Sequence, residues 1–106
     1  MVSYADFKKM DIRIARIKSV HDHPRADKLL ILKVDVGDGE KQVVAGLKGI
    51  FPAESLVGKH IVVLNNLEPA VFRGVESQAM LLAAQDGERI ILLVPEQAAA
   101  PGSKVL

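Results

Sequence analysis

The side chains able to do chemistry fall into three groups. His21 and His23 stand two apart, a spacing that puts both on one side of a strand, with Asp22 and Asp27 near enough to complete a metal site. Metal sites need three or four ligands with supporting groups behind them. A His pair just before a proline more commonly marks a surface turn, so a surface turn before Pro24 and no metal are expected. The hydroxyls are Ser3, Ser19, Ser55, Ser77 and Ser103, and none sits in a Gly-x-Ser-x-Gly elbow. No glycine-rich phosphate loop leads into Lys-Ser/Thr. The carboxylate pairs Asp35/Asp38 and Glu54/Glu68 flank turns and lack the apolar basin that acid–base work requires. No catalytic residue and no cofactor is expected.

The third group is cationic. Residues 1–33 carry eight Lys/Arg against four Asp/Glu, and residues 34–106 carry six against nine. A net charge of only +1 therefore hides a positive N-terminal third and a negative remainder. Arg13, Arg16 and Lys18, then Arg25 and Lys28, then Lys33 follow one another closely enough to form a patch; charge alone favours a solvated outer face of a strand, and the same patch would suit phosphates. The aromatic residues are only Tyr4, Phe7, Phe51 and Phe72, and none interleaves with those cations. Stacking on a series of unpaired bases is not expected. A folded RNA read by shape and backbone suits this set better, and DNA is not an expected partner.

These side chains need a scaffold, and strand patterns dominate. Ile12, Ile14 and Ile17 alternate with Arg13, Arg16 and Lys18, with a phase slip near Ala15 that predicts a bulge. Leu30, Leu32, Val34 and Val36 share one face. Gly37-Asp38-Gly39 turns the chain into residues 41–45, predicting a hairpin. Phe51 to Gly58 reads as one short helix, with Pro52 in its first turn. Strands are predicted over 60–64, 77–84 and 89–94, with turns at Arg73-Gly74 and Asp86-Gly87. A last short strand over 104–106 and a helical turn near Tyr4 and Phe7 complete the pattern. Five or more short strands with one helix after the third predict an all-β, five-stranded Greek-key barrel, the OB-fold, with terminal extensions. Residues 1–106 are expected to form a single domain.

The absence of cysteine suits a reducing compartment. No signal peptide is evident, and no apolar run approaches the roughly 20 residues that span a bilayer. A cytoplasmic protein without membrane partners is expected.

Several fragments occur in a fixed order. They are Asp11-Ile12-Arg13-Ile14, His23-Pro24-x-Ala26-Asp27-Lys28-Leu29, Lys33-Val34-Asp35-Val36-Gly37 and Val44-x-Gly46-Leu47. Pro52-x-Glu54-x-Leu56-x-Gly58-Lys59, Asn66-Leu67-x-Pro69, Arg73-Gly74-x-x-Ser77 and Met80-Leu81-Leu82-Ala83 complete the series. Together they resemble the tRNA-binding domain found at the C-terminus of methionyl-tRNA synthetases and in stand-alone tRNA-binding proteins. The resemblance runs from about Phe7 to Val105. It implies an OB-fold, no catalysis, a homodimer, and binding to tRNA with little regard to its identity, either alone or as an accessory part of methionyl-tRNA synthetase. By that resemblance Lys28 contacts phosphate, Asn66 and Ser77 donate hydrogen bonds to RNA backbone or sugar, and Met80 makes a soft apolar contact. Arg13, Lys33 and Arg73 match supporting basic positions.

The chain departs from the family where Glu68, Ala70 and Val71 replace commonly basic residues. It departs again where Ala79 replaces glycine and Ala45 replaces serine. These changes imply weaker tRNA binding. They leave a second expectation open: a protein-binding, chaperone-like dimer similar to the secretion-chaperone branch of the same family. A bare dimerisation module for a larger enzyme is a third.

Overall fold

A computed structural model describes residues 1–106. The element order is α1 (Tyr4–Phe7), β1 (Ile12–Asp22), β2 (Leu30–Asp35), β3 (Glu40–Ala45), α2 (Ala53–Leu56), β4 (His60–Leu64), β5 (Ala70–Phe72), β6 (Val75–Ser77), β7 (Met80–Leu81), β8 (Ala83–Asp86) and β9 (Arg89–Leu92). One five-stranded sheet runs β3-β2-β1-β4-β7, and β5-β6 and β8-β9 are separate hairpins. All the pairings are antiparallel.

Strand β1 is the spine. Its first half, Ile12 to Arg16, pairs with β4, and its second half, Arg16 to Asp22, pairs with β2. The handover needs a bend, and two irregularities supply it. Ile14 and Ala15 are buried in succession, which is the phase slip visible in the sequence, and the register with β2 jumps between Ile17 and Ser19. Such slips raise local twist and let one strand serve two sides of a barrel.

The core follows from alternation. Leu30, Leu32, Val34 and Val36 are all essentially inaccessible and pack with Ile17, Val43, Ile61 and Val63. Leu56, from the one-turn helix α2, is fully buried in the same cluster. Pro52 caps that helix, and Gly58, at φ 86°, releases the chain into β4.

Strand β3 lies against β6 and β7, which closes the barrel. Closure there uses side chains as well as backbone. The Gln78 N–H donates to Gln42 O at 2.7 Å, and the Gln42 N–H donates to Gln78 Oε1 at 2.9 Å. The Gln42 amide nitrogen donates to Glu76 O at 2.7 Å.

Several sequence expectations require correction. The strand predicted over 77–84 is three pieces, the end of β6, β7 and the start of β8. Ser77 turns the chain by donating to Ala79 O at 2.9 Å. The strand predicted over 104–106 is a single bridge, Lys104 opposite Arg13. The strand predicted over 89–94 is shortened to Arg89–Leu92, β5 and the start of β6 lie where no strand was predicted, and the other strands, the short helix and the N-terminal helical turn fall where the sequence placed them.

Candidate nucleic-acid interface

The β5–β6 hairpin is the outermost part of the barrel wall. All three residues of β5 are exposed, and of the two strands only Ser77 is buried. Its turn is Arg73-Gly74, with φ 51° and 85°, between the paired Phe72 and Val75. Two central residues with positive φ form a type I′ turn, whose twist suits a hairpin. Arg73 is the only non-glycine residue of the chain in this conformation. A side chain there is strained and needs support from its surroundings.

That support comes from the loop between β1 and β2. His23 is buried, at 4 % exposure. Its Nδ1 accepts the Arg25 N–H at 2.9 Å, so Nε2 carries the proton and donates to Phe72 O at 2.7 Å. Arg25 donates from Nε and Nη2 to Arg73 O, at 3.2 and 3.0 Å. The expected surface turn is thus corrected at His23, because a carbonyl far along the chain draws the ring inward. Arg25, expected in the phosphate-binding patch, spends its guanidinium on the hairpin tip.

Beneath the hairpin runs an apolar groove. One depression is lined by Val44, Leu67, Glu68, Ala70, Phe72, Ser77, Ala79 and Met80. A second is lined by Leu29, Val44 to Leu47, Phe72, Met80, Leu81, Ala83 and Ile90. They meet at Val44, Phe72 and Met80. Phe72 and Met80 are each 43 % exposed, so a ring and a thioether are offered to a ligand. Lys28 and Arg73 adjoin the groove residues Leu29 and Phe72 in sequence, and neither lines the groove itself. Neither forms an ion pair within the protein.

The other expected site residues are distributed more widely. Ser77 lines the groove, but its side chain is turned to structure: its oxygen accepts the Val44 N–H at 3.0 Å while its hydrogen goes to Ala79 O. Asn66 accepts the Asp11 N–H at 2.9 Å and donates to Lys9 O at 2.8 Å, tying the N-terminal segment to the end of β4. Lys33 stands exposed on β2, level with Ser19 and Gln42, outside the groove and without an ion pair.

Arg13 is farthest from the expected role. Its Nε and Nη2 grip Asp11, at 2.9 and 2.8 Å, and its Nη1 donates to Val36 O and Asp38, at 3.0 and 2.9 Å. The hydrogen bond from Arg13 holds the Asp11 carboxyl down at about 2, against partial desolvation and with help from Asn65 and Lys104. Asp11 in turn raises the Arg13 pKa above its ordinary value. Arg13 acts as a strut joining the N-terminal segment, β1 and the β2–β3 turn. Lys18 is also paired, with Glu40 at 3.1 Å.

Ala79, where the family has glycine, is buried at 2 % and does not have positive φ. Its methyl group packs in the core cluster and also forms part of the floor of the first depression. Sequence reasoning missed Phe72 as a groove residue, and it missed the roles of His23 and Arg25. The fixed His23-Pro24-x-Ala26-Asp27-Lys28-Leu29 fragment was the available signal for the loop, and the Arg73-Gly74 turn was the signal for the hairpin.

The family described as "Putative tRNA binding domain" matches residues 12–104. The chain belongs to this tRNA-binding domain family. It is 50 % identical over 104 residues to a methionine–tRNA ligase of Thermococcus kodakarensis, covering 98 % of this chain. It is also 50 % identical over 105 residues to that of Nanoarchaeum equitans, covering 99 %. In both cases the chain spans 14 % of the ligase's length.

Among solved structures, a MetRS-related protein from Pyrococcus horikoshii superposes with a TM-score of 0.93 at 31 % identity, covering 100 % of this chain and 98 % of the other. The CsaA chaperone protein from Picrophilus torridus superposes with a TM-score of 0.92 at 33 % identity, covering both chains fully. These two likenesses support the OB-type architecture read from the sequence.

Proposed function

We propose that this domain binds folded tRNA non-catalytically, recognising shape and backbone, and serves methionyl-tRNA synthetase as an accessory part or associated protein. The observation that carries this reading is a groove that offers Phe72 and Met80, with the cations Lys28 and Arg73, free of ion pairs, next in sequence to groove residues. Cations supply the sequence-independent affinity for phosphate, and the ring and thioether suit the face of an exposed base or sugar. Lys33 and Met80 add contacts. Asn66 contributes through the part of its amide left over from the N-terminal segment. Arg13 and Ser77 act within the barrel rather than on the RNA. Partners of this kind suit a protein that works in the cytoplasm beside the translation apparatus.

The test is a salt-titrated binding assay with folded bulk tRNA against an unstructured RNA of equal length. Preference for folded tRNA, weakening steeply with salt, is expected. Equal or absent binding at low salt overturns the proposal.

We further propose a homodimer. Tyr4, Phe7, Met10, Val105 and Leu106 line one cleft together with Lys8 and Lys104, with Tyr4 73 % and Met10 43 % exposed. A second copy can cover this apolar surface across a two-fold axis. Sedimentation at the 11.5 kDa monomer mass at working concentration overturns it.

One observation favours a second reading, protein binding. Apart from Gly46, the Leu29-to-Ile90 depression is wholly apolar, as a groove for extended hydrophobic segments would be. Capture of an unfolded client, or slower aggregation of that client, in the absence of any tRNA preference, would establish it in place of the first.

A further inference from the structure

We infer that His23 and Arg25 are positioning residues that latch the β5–β6 hairpin and so hold the Arg73 side chain at the groove rim, a role that rests on the tRNA-binding reading above. The hairpin has little other anchorage. At its base Ser77 and Glu76 are tied to β3. Its tip contributes no buried side chain: Phe72, Arg73 and Gly74 are all exposed. What holds the tip is a set of hydrogen bonds from one loop, His23 to Phe72 O and Arg25 twice to Arg73 O.

The three parts depend on one another. The Arg25 N–H fixes the His23 tautomer that can donate to Phe72. The Arg25 guanidinium lies against the α-carbon of Gly74, leaving no room for a Cβ there. Arg73 holds a backbone conformation that side chains seldom adopt, and such conformations persist only where their surroundings impose them. The same loop carries Lys28, whose carbonyl accepts the Lys48 N–H at 3.4 Å. The latch thus ties the loop that carries Lys28 to the hairpin that carries Arg73. Arg25 acts through its planar two-nitrogen fork, which lysine cannot reproduce.

The experiment compares His23→Ala, His23→Gln, Arg25→Ala, Arg25→Lys and Arg73→Ala. It uses two readouts: amide exchange over residues 71–75 in the free protein, and tRNA affinity as a function of salt. Arg25→Lys is expected to resemble Arg25→Ala, with faster exchange at the tip and affinity down by about three- to tenfold, the scale of one lost phosphate contact. His23→Ala is expected to do the same and to add nothing when combined with Arg73→Ala. His23→Gln, which keeps a donor for Phe72 O, is expected to recover most of the loss.

Wild-type binding in Arg25→Lys together with weak binding in Arg25→Ala would mean that Arg25 touches phosphate directly, and would overturn the inference. So would unchanged exchange at the tip in His23→Ala, or losses from His23→Ala and Arg73→Ala that multiply. Should His23→Ala fail to fold, the Arg25 pair decides alone. If the wild type shows no preference for tRNA, the functional reading fails, while the exchange measurement still decides whether the latch exists.

Discussion

The hydroxyl of Ser77 completes the hydrogen bonding of Val44, accepting its N–H at 3.0 Å where a neighbouring strand would have offered a carbonyl. It then passes its own hydrogen to Ala79 O. One side chain thus substitutes for a rung of the ladder where the barrel closes. Ser77→Ala leaves a part-buried N–H and a buried carbonyl short of partners, so a loss of about 1–3 kcal/mol is expected. Urea denaturation measures it. The tRNA affinity of the folded variant is expected to stay unchanged, and a lower affinity at an unchanged salt slope would show that Ser77 contacts RNA.

Arg73 sets stability against binding. Asparagine tolerates the left-handed conformation better than arginine does. Arg73→Asn is expected to raise stability by a few tenths to about 1 kcal/mol. It also removes a phosphate contact, so tRNA affinity and salt slope fall together. A thermal melt and a binding titration on one preparation check both halves.

Asp11 gives the fold an acid-sensitive joint. Its carboxyl is held down at about 2 in the native state, against an ordinary value of 3.8, chiefly by the hydrogen bond from Arg13. A depressed carboxylate contributes stability that is fully present above the unfolded value and is lost as pH falls through the folded one. The contribution is therefore intact above about 3.8 and fades between there and about 2. Asp11→Asn is expected to be less stable than wild type by about 1–3 kcal/mol at pH 6, with the gap closing as pH approaches 2. Chemical denaturation across that range checks it, and a gap independent of pH would contradict it.

Leu56 is the only buried residue of α2 and has no exposed surface. Its removal should open a cavity at the barrel end. Leu56→Ala is expected to cost about 2–5 kcal/mol. The effect on tRNA affinity of the folded fraction should be small, since Leu56 lines neither depression of the groove.

The barrel was legible because its information is local. Alternation from Leu30 to Val36, the Gly37-Asp38-Gly39 turn and the Pro52-to-Gly58 helix each declare themselves within a few residues. The site was less legible because its partners are distant in sequence. Arg13 reads as a free cation until Asp38, 25 residues away, is brought beside it. His23 reads as a surface turn until Phe72, 49 residues away, presents its carbonyl. The apolar stretch around Met80 reads as one strand because periodicity carries no sign that a serine hydroxyl interrupts the ladder. Lys28 is legible in the charge pattern and in the resemblance, Arg73 in the resemblance alone, and both are free of ion pairs in the fold. The groove that offers Phe72 and Met80 depends on the hairpin's docking, which no local pattern records.

The rim hairpin owes almost nothing to the hydrophobic core. Between Ala70 and Glu76 no side chain is buried. Residues at 70, 71 and 76 can therefore change from basic to neutral or acidic with little penalty to folding. Ligand preference and foldability are decoupled in this segment. The barrel is a chassis on which the recognition surface can change while the core stays as it is.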